Sequence, residues 1–283
     1  MNNILSVLIL NHNHTDDVLT IYEDLKKQTF QDYNVIVVDD NSNIDEYKKI
    51  SNITDRRLSL YPYPEPWKFG HDNEYNLGLN IALGKNAQFI LILQTDMIIS
   101  SDNLLEKLID YMESNEKYGI VGPTITRNKN IVWGAGIDKI RMGLINNVSE
   151  CYMLRAKCIR EMGRVPNRLR YFGTEHYHKF WMKENGYYTA SLSDVSVEHM
   201  GGGTSSKFQS YKNYYRPRTT IIIMRIFLKK IQVVTKLKMF YNEMYEIRLL
   251  MKNCIKRFKP FLLIKTITIF ILGTFVGLTA KID

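Results

Sequence analysis

Phe89-Ile90-Leu91-Ile92-Leu93 runs directly into Gln94-Thr95-Asp96. Five consecutive apolar residues leave a strand without a polar face, so it must be covered on both sides. The architecture that does this is a mostly parallel sheet flanked by helices, which takes ligands beyond the carboxyl ends of its strands. The residues standing there are the ones to read for chemistry. Asp96 by itself is open to two readings, as the anchor of a metal-bound diphosphate or as the cap of a loop.

The rest of the amino-terminal half repeats the pattern. Ile4–Leu10 and Asn34–Val38 read as buried strands, and Leu58–Tyr61 as a third. Between them, Thr15-Asp16-Asp17 should cap a helix running to Lys27, and Ile44–Ile50 a shorter one. Asn73–Leu83 should be helical, and Asp102 should cap a helix through Leu104, Leu108 and Met112. The proline-rich loop 62–70 should be stiff. Alternating strands and helices specify an α/β fold. Beyond Gly119 the rhythm loosens. Short strands are expected at Ile120–Val121 and Ile131–Trp133, Glu150–Leu154 should lead into a helix over Ala156–Met162, a further helix should cover Glu175–Asn185, and an extended run over Thr189–Glu198 should end on His199.

Charge divides the chain. Met1–Ser206 holds 22 basic and 26 acidic residues, whereas Lys207–Pro260 holds 14 basic residues and two acids, a net +12. The expected division is an α/β domain over 1–215 and a basic helical tail over 216–283. Over Thr219–Phe258 basic and apolar residues interleave, which suits a membrane-surface helix and not a polar nucleic-acid groove. Phe261–Ala280 has the length of a bilayer span but carries Lys265, threonines and two glycines, so a buried or interfacial helix is as open as a spanning one. Cys151, Cys158 and Cys254 form no CxxC pair, and Met1-Asn2-Asn3-Ile4 has no basic region before the first apolar run. The expectation is a reducing, cytoplasmic location, peripheral on the inner face of the membrane.

Single residues carry little. Asp39 and Asp40 follow the second strand, where aspartate is common in turns. His12 and His14 sit in a loop, and His176 and His178 point in different directions on a helix. Gly201-Gly202-Gly203 lacks a following P-loop lysine. Arg216 and Arg218 could pair with diphosphate or lipid headgroups, or face solvent. Taken together, Asp40, Asp96, Glu175 and His199 suggest one edge of the sheet, where acids can accept from a base or ribose and an Asp–His pair can complete a metal shell.

These segments, in order, carry a resemblance. "LSVLILNHN", "FQDYNVIVVDDNSN", "NLGLNIALGKNAQFILILQTDMII", "ECYMLRAKCIREMG", "YFGTEHYHKFWMKENGY", "VEHMGGGTSS" and "YYRPR" resemble family 2 glycosyltransferases of the GT-A fold (the nucleotide-diphospho-sugar transferase fold), especially their rhamnosyltransferase-like branch. The resemblance covers essentially the whole chain. It implies an inverting glycosyltransferase that moves a sugar from a dTDP- or UDP-sugar to a hydroxyl of a surface or lipid-linked glycan. It further implies that Asp40 contacts the nucleotide base with Asn13 and Asn76 nearby, and that Gln94, Thr95 and Asp96 line the nucleotide-sugar site. Asp96 and His199 would hold Mg²⁺ or Mn²⁺, and Glu175 would be the catalytic base. The chain departs from the family pattern where Gln94 replaces the first acid of a DxD motif and Thr174 replaces one of two adjacent acids. Those departures bear on metal dependence and leave an inactive scaffold in a glycan-assembly complex as the alternative.

Overall fold

The computed structural model describes residues 4–63, 72–127, 130–133, 150–166, 169, 173–200, 209–227 and 260–279. Most of the proline-rich loop, Gly201-Gly202-Gly203 and residues 228–259 of the tail lie outside them. The chain divides into two compact units. The first comprises Met1–Asp138, Asn146–Val165 and Trp181–Gly201; the second comprises Lys139–Ile145, Pro166–Phe180 and Gly202–Asp283.

The first unit is built on a nine-stranded sheet. β1 (Leu5–Asn11), β2 (Tyr33–Asp39), β3 (Leu58–Pro62) and β4 (Phe89–Leu93) run parallel in the order β3-β2-β1-β4. Their helical connections are α1 (Thr15–Lys26), α2 (Ile44–Ser51) and α3 (Asp72–Gly84). All five residues of β4 are buried, as a strand without a polar face requires. On one face Leu5, Val7, Val35, Val37, Leu91 and Leu93 join a cluster with Val18, Ile21 and Leu25 of α1. Each fully buried aliphatic side chain of this kind stabilises the fold by about 1.5–3 kcal/mol. The other face meets α3, which lies so close that a Cβ on Gly78 would fall 2.3 Å from Leu8 Cδ1.

After β4 come β5 (Met97–Ile98), α4 (Leu104–Ser114), β6 (Tyr118–Arg127), β7 (Asn130–Trp133), β8 (Cys151–Arg155), α5 (Ala156–Met162), α6 (Thr174–Glu184) and β9 (Tyr188–His199). Here the sheet becomes mixed. β8 lies antiparallel between β4 and β6, β9 is parallel to β6, and β5 is antiparallel to β9. β6 is far longer than Ile120–Val121 suggested. Its polar residues are sheltered by bonds to β9, such as Thr124 Oγ1 to Leu192 O at 2.8 Å. The β6–β9 register slips between Pro123 and Thr124, where proline offers no N–H to the ladder.

Two expected caps are met differently. Thr15 is the first residue of α1, not its cap, and the loop before it is held by Asn11 Oδ1 accepting from His14 N at 3.1 Å. Asp102 does not cap α4. Its carbonyl accepts from Thr29 N, while buried Gln28 accepts from Leu105 N at 3.2 Å and donates to Ser101 O at 2.6 Å. A cap supplied from 77 residues away has no local signature. Cys151 and Cys158 are buried free thiols; burial pushes Cys151 far above the usual thiol range and Cys158 up to about 11.

In the second unit α7 (Gln209–Ile226) packs against α8 (Pro260–Thr279). The expected division at 215/216 falls inside α7. Thr219 and Ile223 of this helix close on Gly173, and Phe227 just beyond it lies 5.6 Å, ring to ring, from both Tyr177 and Phe180 of α6. Among the described residues, no helix is long and apolar enough to cross a membrane.

Replacing Gln28 by Ala is expected to lower unfolding free energy by about 1–3 kcal/mol, because it strands buried partners at the start of α4. Urea denaturation checks this, and an unchanged midpoint would mean that α4 is capped by another group.

Candidate active site

The parallel register aligns strand ends. Asn11 is opposite Asp39, so β1 and β2 release their chains at one edge, beside the end of β4. The two aspartates after β2 divide the work. Asp39, buried, accepts from Asn11 Nδ2 at 2.8 Å, Ser42 N at 2.9 Å and Ser42 Oγ at 2.7 Å, and so fixes the turn. Asp40, 4% exposed, is held by its backbone: its N–H donates to Asn11 O at 2.7 Å and its carbonyl lies 2.7 Å from His12 Nδ1. Asn13 adopts a left-handed φ of 56° and accepts from Asn43 N at 2.8 Å through Oδ1. Asparagine tolerates that conformation better than most residues. His12 is thus a strut of this loop, and His14 pairs with Asp17 at 3.0 Å.

Asp96 and His199 are brought together by backbone pairing. Met97 of β5 is opposite His199 of β9, and Met200 N donates to Asp96 O at 2.9 Å. The side chains then meet, with Asp96 Oδ2 at 3.0 Å from His199 Nε2. Hydrogen bonding to Asp96 raises the His199 pKa above the usual imidazole value, while burial and Arg127 work against that rise. Arg127 Nη2, at the end of β6, lies 3.4 Å from His199 Nδ1. Gln94 and Thr95 occupy the turn between β4 and β5, and Gln94 N donates to Glu150 O at 3.1 Å.

Glu150 has a left-handed φ of 62° and adds negative potential at His199. A non-glycine residue in that conformation is strained, and such strain collects at functional sites. Neither Arg127 nor Glu150 stood out in the sequence. Their place depends on the β8 and β9 pairings, and only Glu150's position just before an apolar strand gave a local signal. Asn76 has a different setting from its expected neighbours. It is 3% exposed, donating to Val165 O at 2.9 Å and accepting from Val165 N at 3.0 Å, so its amide ties α3 to the segment after α5.

Residues 6–166, more than half of the chain, match the model of glycosyl transferase family 2. The chain belongs to that family. It is a glycosyltransferase on a GT-A fold, and similar solved structures share the architecture. S. aureus TarS 1–349 in complex with UDP-GlcNAc superposes with a TM-score of 0.63 at 15% identity, over 85% of this chain and 71% of that one. The mannosyltransferase PcManGT from Pyrobaculum calidifontis, in complex with GDP-Man and Mn²⁺, gives a TM-score of 0.60 at 12% identity, over 98% of this chain and 76% of that one. No curated protein matches the sequence.

Glu175 belongs to the second unit, in the first turn of α6, where the helix dipole favours a carboxylate. Burial pushes its pKa up, but His176, Lys179 and its own backbone N–H outweigh that and leave it below the usual value. His176 Nε2 lies 3.6 Å from Glu175 Oε1. Burial pushes His178 down to about 3, so near neutral pH it is an uncharged neighbour. Glu175 is therefore ionised and able to accept a proton. A depression of about 780 Å³ between Gln31–Asn34, Asp55–Arg57 and Lys85 lies at the amino ends of β2 and β3, the wrong end of the sheet for this family's chemistry.

Asn76→Ala is expected to cost about 1–3 kcal/mol of stability with donor affinity unchanged, since both lost bonds are structural. Thermal melting alongside calorimetric titration of the nucleotide-sugar tests this. Weaker binding at unchanged stability would return Asn76 to the ligand site.

Proposed function

We propose that this glycosyltransferase catalyses inverting transfer of a hexosyl or rhamnosyl group from a dTDP- or UDP-sugar to a hydroxyl of a surface or lipid-linked glycan, as in the rhamnosyltransferase-like branch. The observation that carries the reading is the Asp96–His199 pair, 3.0 Å apart on the sheet edge that also holds Asn13 and Asp40. That TarS is solved with UDP-GlcNAc and PcManGT with GDP-Man supports a nucleotide-sugar as donor.

Asp40, backed by the fixed Asp39 turn, accepts from the donor base, and Asn13 closes the same loop over the nucleotide. Gln94 and Thr95 offer amide and hydroxyl groups to ribose or phosphate. A carboxylate oxygen beside an imidazole nitrogen is a donor set that suits Mg²⁺ or Mn²⁺. Among the described residues no three His, Cys, Asp or Glu side chains form a metal cluster, so Asp96 and His199 would hold the ion with diphosphate oxygens as further ligands. When bound, it neutralises charge on the leaving diphosphate. Glu175 takes the acceptor hydroxyl proton, and that oxygen forms its bond to the anomeric carbon opposite the breaking bond to diphosphate. The configuration inverts.

Gln94 and Thr174, standing where the family has acids, favour the second reading, a GT-A scaffold without activity. Turnover distinguishes the two. The net +12 of Lys207–Pro260 supports a place on the cytoplasmic face of the membrane, where lipid-linked acceptors lie; each Lys or Arg near an anionic leaflet is worth about 1 kcal/mol.

Glu175→Gln is expected to slow transfer by ~10²–10⁴-fold while donor affinity stays within about twofold. Single-turnover assays with labelled donor measure both. A near-normal rate in the variant removes Glu175 from the chemistry, and no turnover in the wild type with any donor supports the scaffold reading.

A further inference from the structure

Helix α8 is apolar on two opposite faces, and the second unit accounts for only one of them. Its inner face carries Gly273 and Gly277, which let α7 come in to backbone contact. A Cβ on Gly273 would fall 2.2 Å from Tyr214 O, and one on Gly277 2.8 Å from Arg218 O. Arg225 Nη1 of α7 donates to Gly277 O at 2.9 Å, and Phe270 is buried on the same side. The outer face holds Ile264, Ile271, Leu272, Phe275 and Leu278, exposed by 64%, 60%, 51%, 61% and 56%. At 3.6 residues per turn these five fall within a stripe roughly 120° wide, opposite the two glycines. Single exposed leucines are ordinary on protein surfaces; a continuous stripe of this kind marks an interaction face.

We propose that this stripe is an in-plane insertion face for an anionic lipid bilayer. The proposal rests on the membrane reading above and assigns it a surface. Charge argues for lipid over a second copy of the chain. Lys207–Pro260 carries a net +12 and leads directly into α8, and Lys265 is exposed in its first turns. Pairing two stripes would bring two such segments together, whereas an anionic surface neutralises them. The glycine contacts keep one side of α8 on α7, and among the described residues no helix is able to cross a bilayer. The helix therefore lies along the headgroup boundary with Phe275 and its neighbours inserted. Attachment has a salt-sensitive part from the basic segment and a salt-resistant part from the stripe.

The test is co-sedimentation of the full chain with phosphatidylglycerol/phosphatidylcholine vesicles at low salt and at 0.5 M NaCl, for the wild type and for Ile271→Ser/Phe275→Ser. Melting temperature, oligomeric state and nucleotide-sugar affinity are measured beside it. The expected result is wild-type binding that survives in part at high salt. The double variant should lose at least about tenfold of that salt-resistant binding, with melting and donor affinity unchanged. Equal binding by both proteins at both salts overturns the insertion face and leaves the basic segment as the anchor. No vesicle binding by the wild type overturns both the face and the membrane reading. A dimer that the variant dissociates, with vesicle binding unaffected, assigns the stripe to a second copy and overturns the proposal. A lowered melting temperature with vesicle binding unaffected assigns the stripe to the chain's own packing, with the same consequence.

Discussion

Everything at the candidate site depends on β4 having no polar face. A strand of five buried residues must be sandwiched, and the helices that sandwich it connect parallel neighbours. Parallel neighbours end their strands on one edge. The loop after β1, the acidic turn after β2 and the Gln94-Thr95-Asp96 turn after β4 are therefore adjacent because of how apolar residues are buried, before any ligand is considered. What the parallel half cannot do is return a histidine to that edge. The mixed half does so, and the short β5–β9 pairing sets His199 beside Asp96.

Neighbouring polar residues at this edge serve distinct ends. Asp39 spends its carboxylate on Asn11 and Ser42 and holds the turn; Asp40 is presented by backbone bonds on either side. Asn11 ties β1 to that turn, and Asn76 braces α3 against Val165. Rigid support of this kind lets a few residues keep a geometry that a ligand can rely on. The second unit has its own logic, with Glu175 kept ionised by nearby positive charge and by its place at the start of α6.

The sequence was most legible where local pattern and burial agree. The strands β1, β2 and β4, the helices α1 and α3, and the acids at the strand ends could all be read from apolar periodicity and turn chemistry. It was least legible where a partner is remote. Gln28 caps α4 from across the fold, and β6 runs ten residues because β8 and β9 shelter its glycines and threonines. Arg127 and Glu150 join the site only through strand pairings. The charge boundary lies at 206/207, and the expected division at 215/216 falls inside α7, whose Thr219 and Ile223 close on Gly173 just before α6. The family resemblance implies a role for Asp96 and His199 together without any knowledge of the strand order, and the β5–β9 pairing brings the two side chains to 3.0 Å.

The function of this fold turns on whether the edge carrying Asp40, Asp96 and His199 binds a nucleotide-diphosphate-sugar. Calorimetric titration of dTDP-, UDP- and GDP-sugars into the wild type and Asp96→Asn, each with and without Mn²⁺, measures this directly. One donor should bind the wild type more tightly with Mn²⁺ than without it, and Asp96→Asn should lose that enhancement while it keeps the weaker metal-free binding. Equal enhancement in both proteins, or no binding of any nucleotide-sugar by the folded wild type, would contradict the account.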